Sequence, residues 1–305
     1  MIINSKALTA IQESFNTLFN KGVGLAQPVW EKFAMKVPSS SKYENYAWLG
    51  AMPKMKKWIG ERAVKQLAAN GYTLKNESYE DTVEVDRDDI EDDAYGVYAP
   101  LVQGMGQAAT LWPEELVFEC LKDGFEKNCY DGKAFFDEEH PVGKKKKVSN
   151  KTTAKLSLES YKEGRTAIMS VCDDEGKPLG LVPNLLIVSP ALEETARRIL
   201  KSELIAVKQA DGSYITESNP YKDTAELLVS PRLADKPDYW FLLDVSKAVK
   251  PFVFQERRKP EFVAHTNPDN DKVFMEKKFV YGVDARGNAG YTLWQLAYGS
   301  TGTGA

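Results

Sequence analysis

The chain has 305 residues, 43% hydrophobic and 28% charged, with 40 Lys and Arg against 44 Asp and Glu. Enough apolar residues are present for one large domain or two ordinary ones, which excludes wholesale disorder. A net charge of −4 gives the molecule no overall pull toward nucleic acid, and no stretch approaches the roughly 18 apolar residues of a membrane helix.

The three cysteines, Cys120, Cys129 and Cys172, form no CxxC pair, which suits free thiols in a reducing compartment. The opening "MIINSKALTAIQESF" lacks a basic stretch followed by an apolar one, so no signal peptide is expected. These features predict a soluble protein made in the cytoplasm.

Residues 4–20 carry Leu8, Ile11, Phe15 and Leu18 at spacings of three and four, predicting an amphipathic helix capped by Asn4 or Ser5. "KGVGLAQP" is expected to break it. The apolar stripe of a lone terminal helix must pack on the body of the chain or on a neighbour.

Residues 37–80 contain Tyr43, Tyr46, Trp48 and Trp58 among many charges, with Gly50, Pro53, Gly60 and Gly71. They read as an extended arm (43–49), a turn, a short helix (61–69) and a returning strand (72–86). Such a two-stranded excursion is marginal alone in water. Its aromatics belong either in the chain's own core or against a partner.

The acidic run "DRDDIEDDA" (86–94) lacks the central glycine and terminal glutamate of an EF-hand, so it reads as capping for the next helix. That helix is the longest element, within 90–124. Pro113 should kink or restart it, and Gly104 and Gly106 fit if another backbone comes close. A helix follows in 155–172, with Ser157 near its cap. "LLIVS" (185–189) reads as a strand and "ALEETARRILKSE" as a helix. Loops are expected in 205–225, then strands in "AELLVSPRL" and "DYWFLLD". "PFVFQERRKPEFVAHT" reads as a longer β pair, and further strands close the chain before a flexible "TGTGA". The pattern is α+β, without a β-α-β repeat or an internal linker.

Little in this sequence points to catalysis. There are two histidines, His140 and His265, and no HExxH, CxxC, G-x-S-x-G or P-loop. "FFDEEHPVGKKKKVSN" (135–150) concentrates charge. A metal site there would need His140 with Asp137, Glu138 or Glu139 and distant ligands. Lys144 to Lys147 could grip a polyanion, but adjacent like charges are usually solvated. The stretch therefore reads first as a solvent-facing or subunit-facing loop.

"SSSKYENYAWLGAMPKMKKWIGER", "RDDIEDDAYGVYAPL", "CYDGKAFFDEEHPV", "AVKPFVFQERRKPEFVA" and "ARGNAGYTLWQLA" together resemble the Mu-like bacteriophage major head subunit (gpT) family along nearly the whole chain. The resemblance is weakest in 143–155 and 175–225. It implies the α+β fold of tailed-phage major capsid proteins, of the Hong Kong phage type. The expected parts are an N-terminal arm (1–36), an extended loop (37–80), a peripheral domain with a spine helix (81–179), an axial domain (180–249) and a return to the peripheral domain with the C-terminal tail (250–305).

The implied function is structural: a capsid subunit that self-assembles into hexamers and pentamers of an icosahedral shell around double-stranded DNA. No catalytic residue, cofactor or metal is expected. Implied partners are identical subunits, a scaffold protein, a prohead protease, the portal and packaged DNA held without sequence-specific binding, with no membrane. No charged coiled-coil leader precedes the arm, so a fused scaffold is not expected. Candidate subunit contacts are Tyr43, Tyr46, Trp48, Trp58, Lys54, Lys56, Lys57, Arg62, Asp86, Asp88 and Asp89. The basic 54–65 or 144–147 would meet the acidic 80–93 of a neighbour. Two rivals use the 137–147 loop instead: a cytosolic metal-dependent hydrolase and a DNA-binding protein.

Overall fold

The computed structural model describes residues 5–50, 71–92, 94–143, 146–208, 213–267 and 271–304. Helix α1 spans Ser5–Leu25 and buries Leu8, Ile11, Phe15 and Phe19 along one side. It does not stop before Gly22, as its glycines suggest. A Cβ on Gly22 would lie 2.0 Å from the carbonyl oxygen of Gln103, on a second helix. Close helix crossing therefore offsets the ~1 kcal/mol that a glycine costs inside a helix.

A 3-10 turn at Trp30–Lys32 leads into strand β1 (Ala34–Pro38). Strand β2 (Tyr43–Tyr46) rises to a second 3-10 turn, Ala47–Gly50, and β3 (Tyr72–Lys75) returns antiparallel to β2. The predicted return strand is thus interrupted at Asn76 and continues as β4 (Glu77–Asp86). The predicted helix at 61–69 lies outside the described residues.

The acidic run does cap a helix, but a short one, α2 (Arg87–Glu91), through Asp86, whose carboxylate accepts from the Asp88 amide. The long helix α3 (Ala99–Asp123) follows, with Pro100 in its first turn, and it continues unbroken through Pro113. Trp112, Leu116, Val117 and Leu121 are buried on either side of that proline. Their packing holds the helix where the missing amide would weaken it.

The hairpin of β5 (His140–Val142) and β6 (Lys146–Val148) precedes β7 (Lys151–Thr152). Helix α4 (Leu158–Met169) starts at Ser157 with a capping box shared with Ser160. Then come β8 (Leu185–Val188), α5 (Glu193–Lys201), β9 (Leu204–Lys208), β10 (Tyr214–Ser218), β11 (Glu226–Val229) and β12 (Trp240–Leu243). Where loops are expected, β9 and β10 form a hairpin. Its sequence gives no burial signal because none of its described side chains is buried, with Leu204 59% exposed.

The "longer β pair" is one strand, β13 (Phe252–His265), whose register against its partner slips between Glu256 and Glu261. Charged residues and Pro260, which has no amide to donate, fall in that slip. Helix α6 (Asp271–Glu276), β14 (Lys278–Tyr291) and β15 (Ala297–Ser300) complete the chain. The tail is tied down rather than flexible, since the Gly304 amide donates to the Thr153 carbonyl at 2.6 Å.

Two sheets organise the molecule, in orders β1-β13-β14-β4 and β11-β8-β12-β15-β7. α3 lies against the first. The larger core joins α3, both sheets and the aromatic cluster of Phe135, Phe136, Phe252 and Tyr291. A smaller core joins α1, the first half of α3, β4 and β14, with Phe15 set edge-on to Tyr281 at 4.8 Å.

Candidate functional site

The foot of the β2–β3 excursion is a buried polar knot. The Tyr46 hydroxyl donates to Gln255 Oε1 at 2.9 Å, and Gln255 Nε2 donates to Asn76 Oδ1 at 2.7 Å. Asn76 Nδ2 in turn donates to the Ser39 hydroxyl and the Ser41 carbonyl, both at 2.8 Å. Glu44 Oε1 accepts from the Ser39 hydroxyl and from the Ser40 and Ser41 amides, which holds its carboxyl below its ordinary value. Buried polar groups this well satisfied fix one geometry. Sequence reasoning missed Ser39, Asn76 and Gln255. The signals were the "SSS" before a charged aromatic stretch and the asparagine breaking the alternation of 72–86.

Tyr46 therefore leaves the list of exposed contact candidates. It is 5% exposed, and burial, then the Glu44 charge, pushes its hydroxyl up to about 12. Tyr43 lies on the opposite strand face and is 49% exposed, with Lys42 Nζ 5.4 Å from its ring centre. The backbone of Trp48 lies in the 3-10 turn at the tip of β2. Lys54, Lys56, Lys57, Trp58 and Arg62 lie outside the described residues.

The acidic candidates are brought together but partly used up internally. Asp86 caps α2, and Asp89 accepts from the Tyr98 hydroxyl at 2.6 Å. Asp88 stays exposed, 3.7 Å from Lys277 Nζ. Further along β4, α3 and the first sheet border a cleft of about 250 Å³. Tyr79, Trp112, Val283 and Ala285 line it, with Glu80, Asp81 and Glu115 among its polar groups. The register slip at Pro260 and the small Ala108 and Ala109 leave this space open. Trp112 Nε1 is buried there without a hydrogen-bond acceptor.

The 135–150 stretch is only partly a solvated loop. Lys146 and Lys147 are exposed, while Phe135, Phe136 and His140 are fully buried. His140 does not face Asp137, Glu138 or Glu139. Its Nδ1 lies 2.7 Å from Asp131 Oδ2, and Asp131 Oδ1 accepts from the Cys129 thiol at 3.2 Å. Ligand atoms of Cys129, Asp131 and His140 lie within 4.8 Å of one another.

The trio fits a hydrogen-bonded clasp better than a metal centre. Three ligands fall short of a structural zinc site, and both imidazole nitrogens are engaged, Nε2 with Asn150 Oδ1 at 3.1 Å. Burial, then the Asp131 charge, pushes the Cys129 thiol up, away from the thiolate a metal needs. Burial works to raise the Asp131 carboxyl, but hydrogen bonds from His140, the Lys133 amide and Cys129 outweigh it and hold it low. Glu139 instead pairs with Lys147 at 2.7 Å on the surface. Among the described residues, no nucleophile and base are assembled around His140 in the way hydrolysis requires.

Comparison with known proteins gives this geometry its context. The model of the Mu-like prophage major head subunit gpT family matches residues 8–155, 151–233 and 234–303. The major capsid protein of Escherichia phage Mu is 35% identical over 297 residues, covering 97% of this chain and 74% of that protein. The Mu-like prophage FluMu major head subunit of Haemophilus influenzae is 31% identical, covering 95% of this chain and 71% of that protein. Among solved structures, a subunit from the procapsid of bacteriophage JBD30 covers 98% of this chain and 76% of its own, with TM-score 0.63 and 32% identity. A subunit of the bacteriophage PhiM1 mature capsid shares the fold at 10% identity, with TM-score 0.55 over 90% of this chain and 87% of its own. The chain belongs to the Mu-like prophage major head subunit gpT family.

Proposed function

We propose that copies of this chain associate into hexamers and pentamers that close into an icosahedral phage head around double-stranded DNA. Family membership carries this reading, supported by the near-complete overlay on a procapsid subunit. The role is structural, not enzymatic. Neither rival is supported: among the described residues of the 137–147 loop no hydrolytic site is assembled, and relatives over 95% or more of the chain are a major capsid protein and a major head subunit.

On this reading, residues 1–36 are the arm and 37–80 the extended loop. Residues 81–179 hold the spine helix α3, 180–249 form the axial part, and 250–305 return to the peripheral sheet. Assembly takes place in the host cytoplasm with a scaffold protein, a prohead protease and a portal, and the packaged DNA is held without sequence-specific contacts.

Shell contacts are weak singly and strong in sum, because each subunit is held by several neighbours. The segment bearing Lys54, Lys56, Lys57 and Arg62, with Trp48 and Trp58 as aromatic anchors, meets the acidic face of a neighbour at Glu80, Asp81 and Asp88. Two observations support this pairing: β2 and β3 pair antiparallel, with Tyr46 opposite Tyr72, and Glu80 and Asp81 border an open, partly apolar cleft. A charge-swap experiment tests it. Lys56→Glu with Lys57→Glu should block particle formation without unfolding the chain. Adding Glu80→Lys and Asp81→Lys should restore it. Normal particles from the first pair of changes would refute the pairing.

A further inference from the structure

The cleft between α3 and the first sheet carries charge that its own walls leave unbalanced. In the β4–β14 ladder Tyr79 stands opposite Ala285 and Asp81 opposite Val283, so these four side chains share the sheet face turned toward α3. On α3, Ala108, Trp112 and Glu115 recur at helical spacing and border the same space. The lining holds three carboxylates, Glu80, Asp81 and Glu115, and no lysine or arginine. Arg232, which is not part of the lining, pairs with Glu115 at 2.7 Å. Among the described residues, no lysine or arginine does the same for Asp81 or Glu80. The Tyr79 and Trp112 rings, with centroids 5.0 Å apart and planes at 52°, form an aromatic wall. Trp112 is 8% exposed, and its Nε1 is buried without an acceptor. A buried donor left unpaired is unfavourable, and an incoming acceptor relieves it.

We propose that this cleft is a binding site for a small aromatic amine, whose ring lies against Tyr79 and Trp112, whose oxygen accepts from Trp112 Nε1 and whose ammonium is neutralised by Asp81. Each part of the ligand answers one feature of the site. The volume of about 250 Å³ falls just under the roughly 300–1,000 Å³ of pockets that hold drug-sized ligands, which suits one ring with a short arm. The aromatic wall attracts both a ring and a nearby cation. The unbalanced carboxylates reject an anion of the same shape. Because Asp81 is also assigned to the contact with a neighbouring copy, a bound amine competes with that contact. Binding to the chain itself does not depend on it.

Nitrogen NMR on the full chain, labelled at tryptophan, tests this with tyramine, a phenol bearing an ethylammonium arm. Trp112→Phe identifies the Trp112 indole signal by its loss. Tyramine should move that signal saturably at millimolar concentration or below. The acid 3-(4-hydroxyphenyl)propionate, similar in shape and opposite in charge, should not. Ala108 is exposed on α3, so Ala108→Leu should fill the mouth of the cleft and abolish the shift without unfolding the chain. Asp81→Asn should weaken tyramine binding by up to about fivefold. A Trp112 signal that ignores tyramine, or that follows both compounds alike, would overturn the proposal. The wild-type titrations decide this even if Ala108→Leu fails to fold. A shift that survives Ala108→Leu would place the amine outside the cleft and overturn it as well.

Discussion

The carbonyl oxygen of Phe19 occupies the space where a Cβ on Gly106 would stand, 2.1 Å from it. Helices α1 and α3 thus cross backbone to backbone, with Gly22 against Gln103 as the second contact. Gly104, two residues away, has no atom within 4 Å of the same construction. Gly104→Ala should therefore stabilise the chain by up to about 1 kcal/mol through helix propensity alone. Gly106→Ala should destabilise it by forcing the helices apart, at a cost of about 1–3 kcal/mol. Thermal unfolding of the two variants should move in opposite directions; movement in the same direction would contradict the close crossing.

Tyr46 anchors the foot of the excursion from inside. Tyr46→Phe keeps the ring and removes the donor to Gln255, leaving a buried amide oxygen short of a partner. A loss of about 1–3 kcal/mol is expected in urea denaturation. An unchanged midpoint would mean that the knot does not hold the excursion.

Trp48 and Trp58 should behave differently from Tyr46. On the proposed subunit pairing, changing either to alanine should leave the unfolding transition in place and impair assembly. A transition shifted by several kcal/mol would place that indole in the chain's own core instead.

Acid should probe the Asp131 clasp. Its carboxyl is held below the ordinary 3.8, so its contribution is present above that value and fades as pH falls through the lower folded-state value. Asp131→Asn should cost stability at neutral pH, and the gap from wild type should narrow in strong acid. A gap that stays constant down to the acid transition would show that the carboxylate charge is not what stabilises the clasp.

Elements whose apolar residues are both periodic and buried were legible in the sequence: α1, α3, α4, β8 and β12. The end of α1 was not, because Gly22 signals a helix break locally while its lack of a Cβ is what lets α3 approach. The β9–β10 hairpin was hidden because its described side chains are exposed or half-buried and carry no burial pattern. The split of the return strand at Asn76 depends on Ser39 and Gln255, 37 and 179 residues away, which no local pattern reports. His140 was singled out with Asp137, Glu138 and Glu139 beside it. Its true partners, Asp131 and Asn150, sit nine and ten residues to either side and are set by the turn and hairpin between them.

Sedimentation velocity across a concentration series, with negative-stain electron microscopy of any fast fraction, tests self-assembly most directly. Rings of five or six subunits, tubes or closed shells are expected, appearing as concentration rises. A compact monomer at every concentration would contradict the claim that this chain's own surfaces drive assembly.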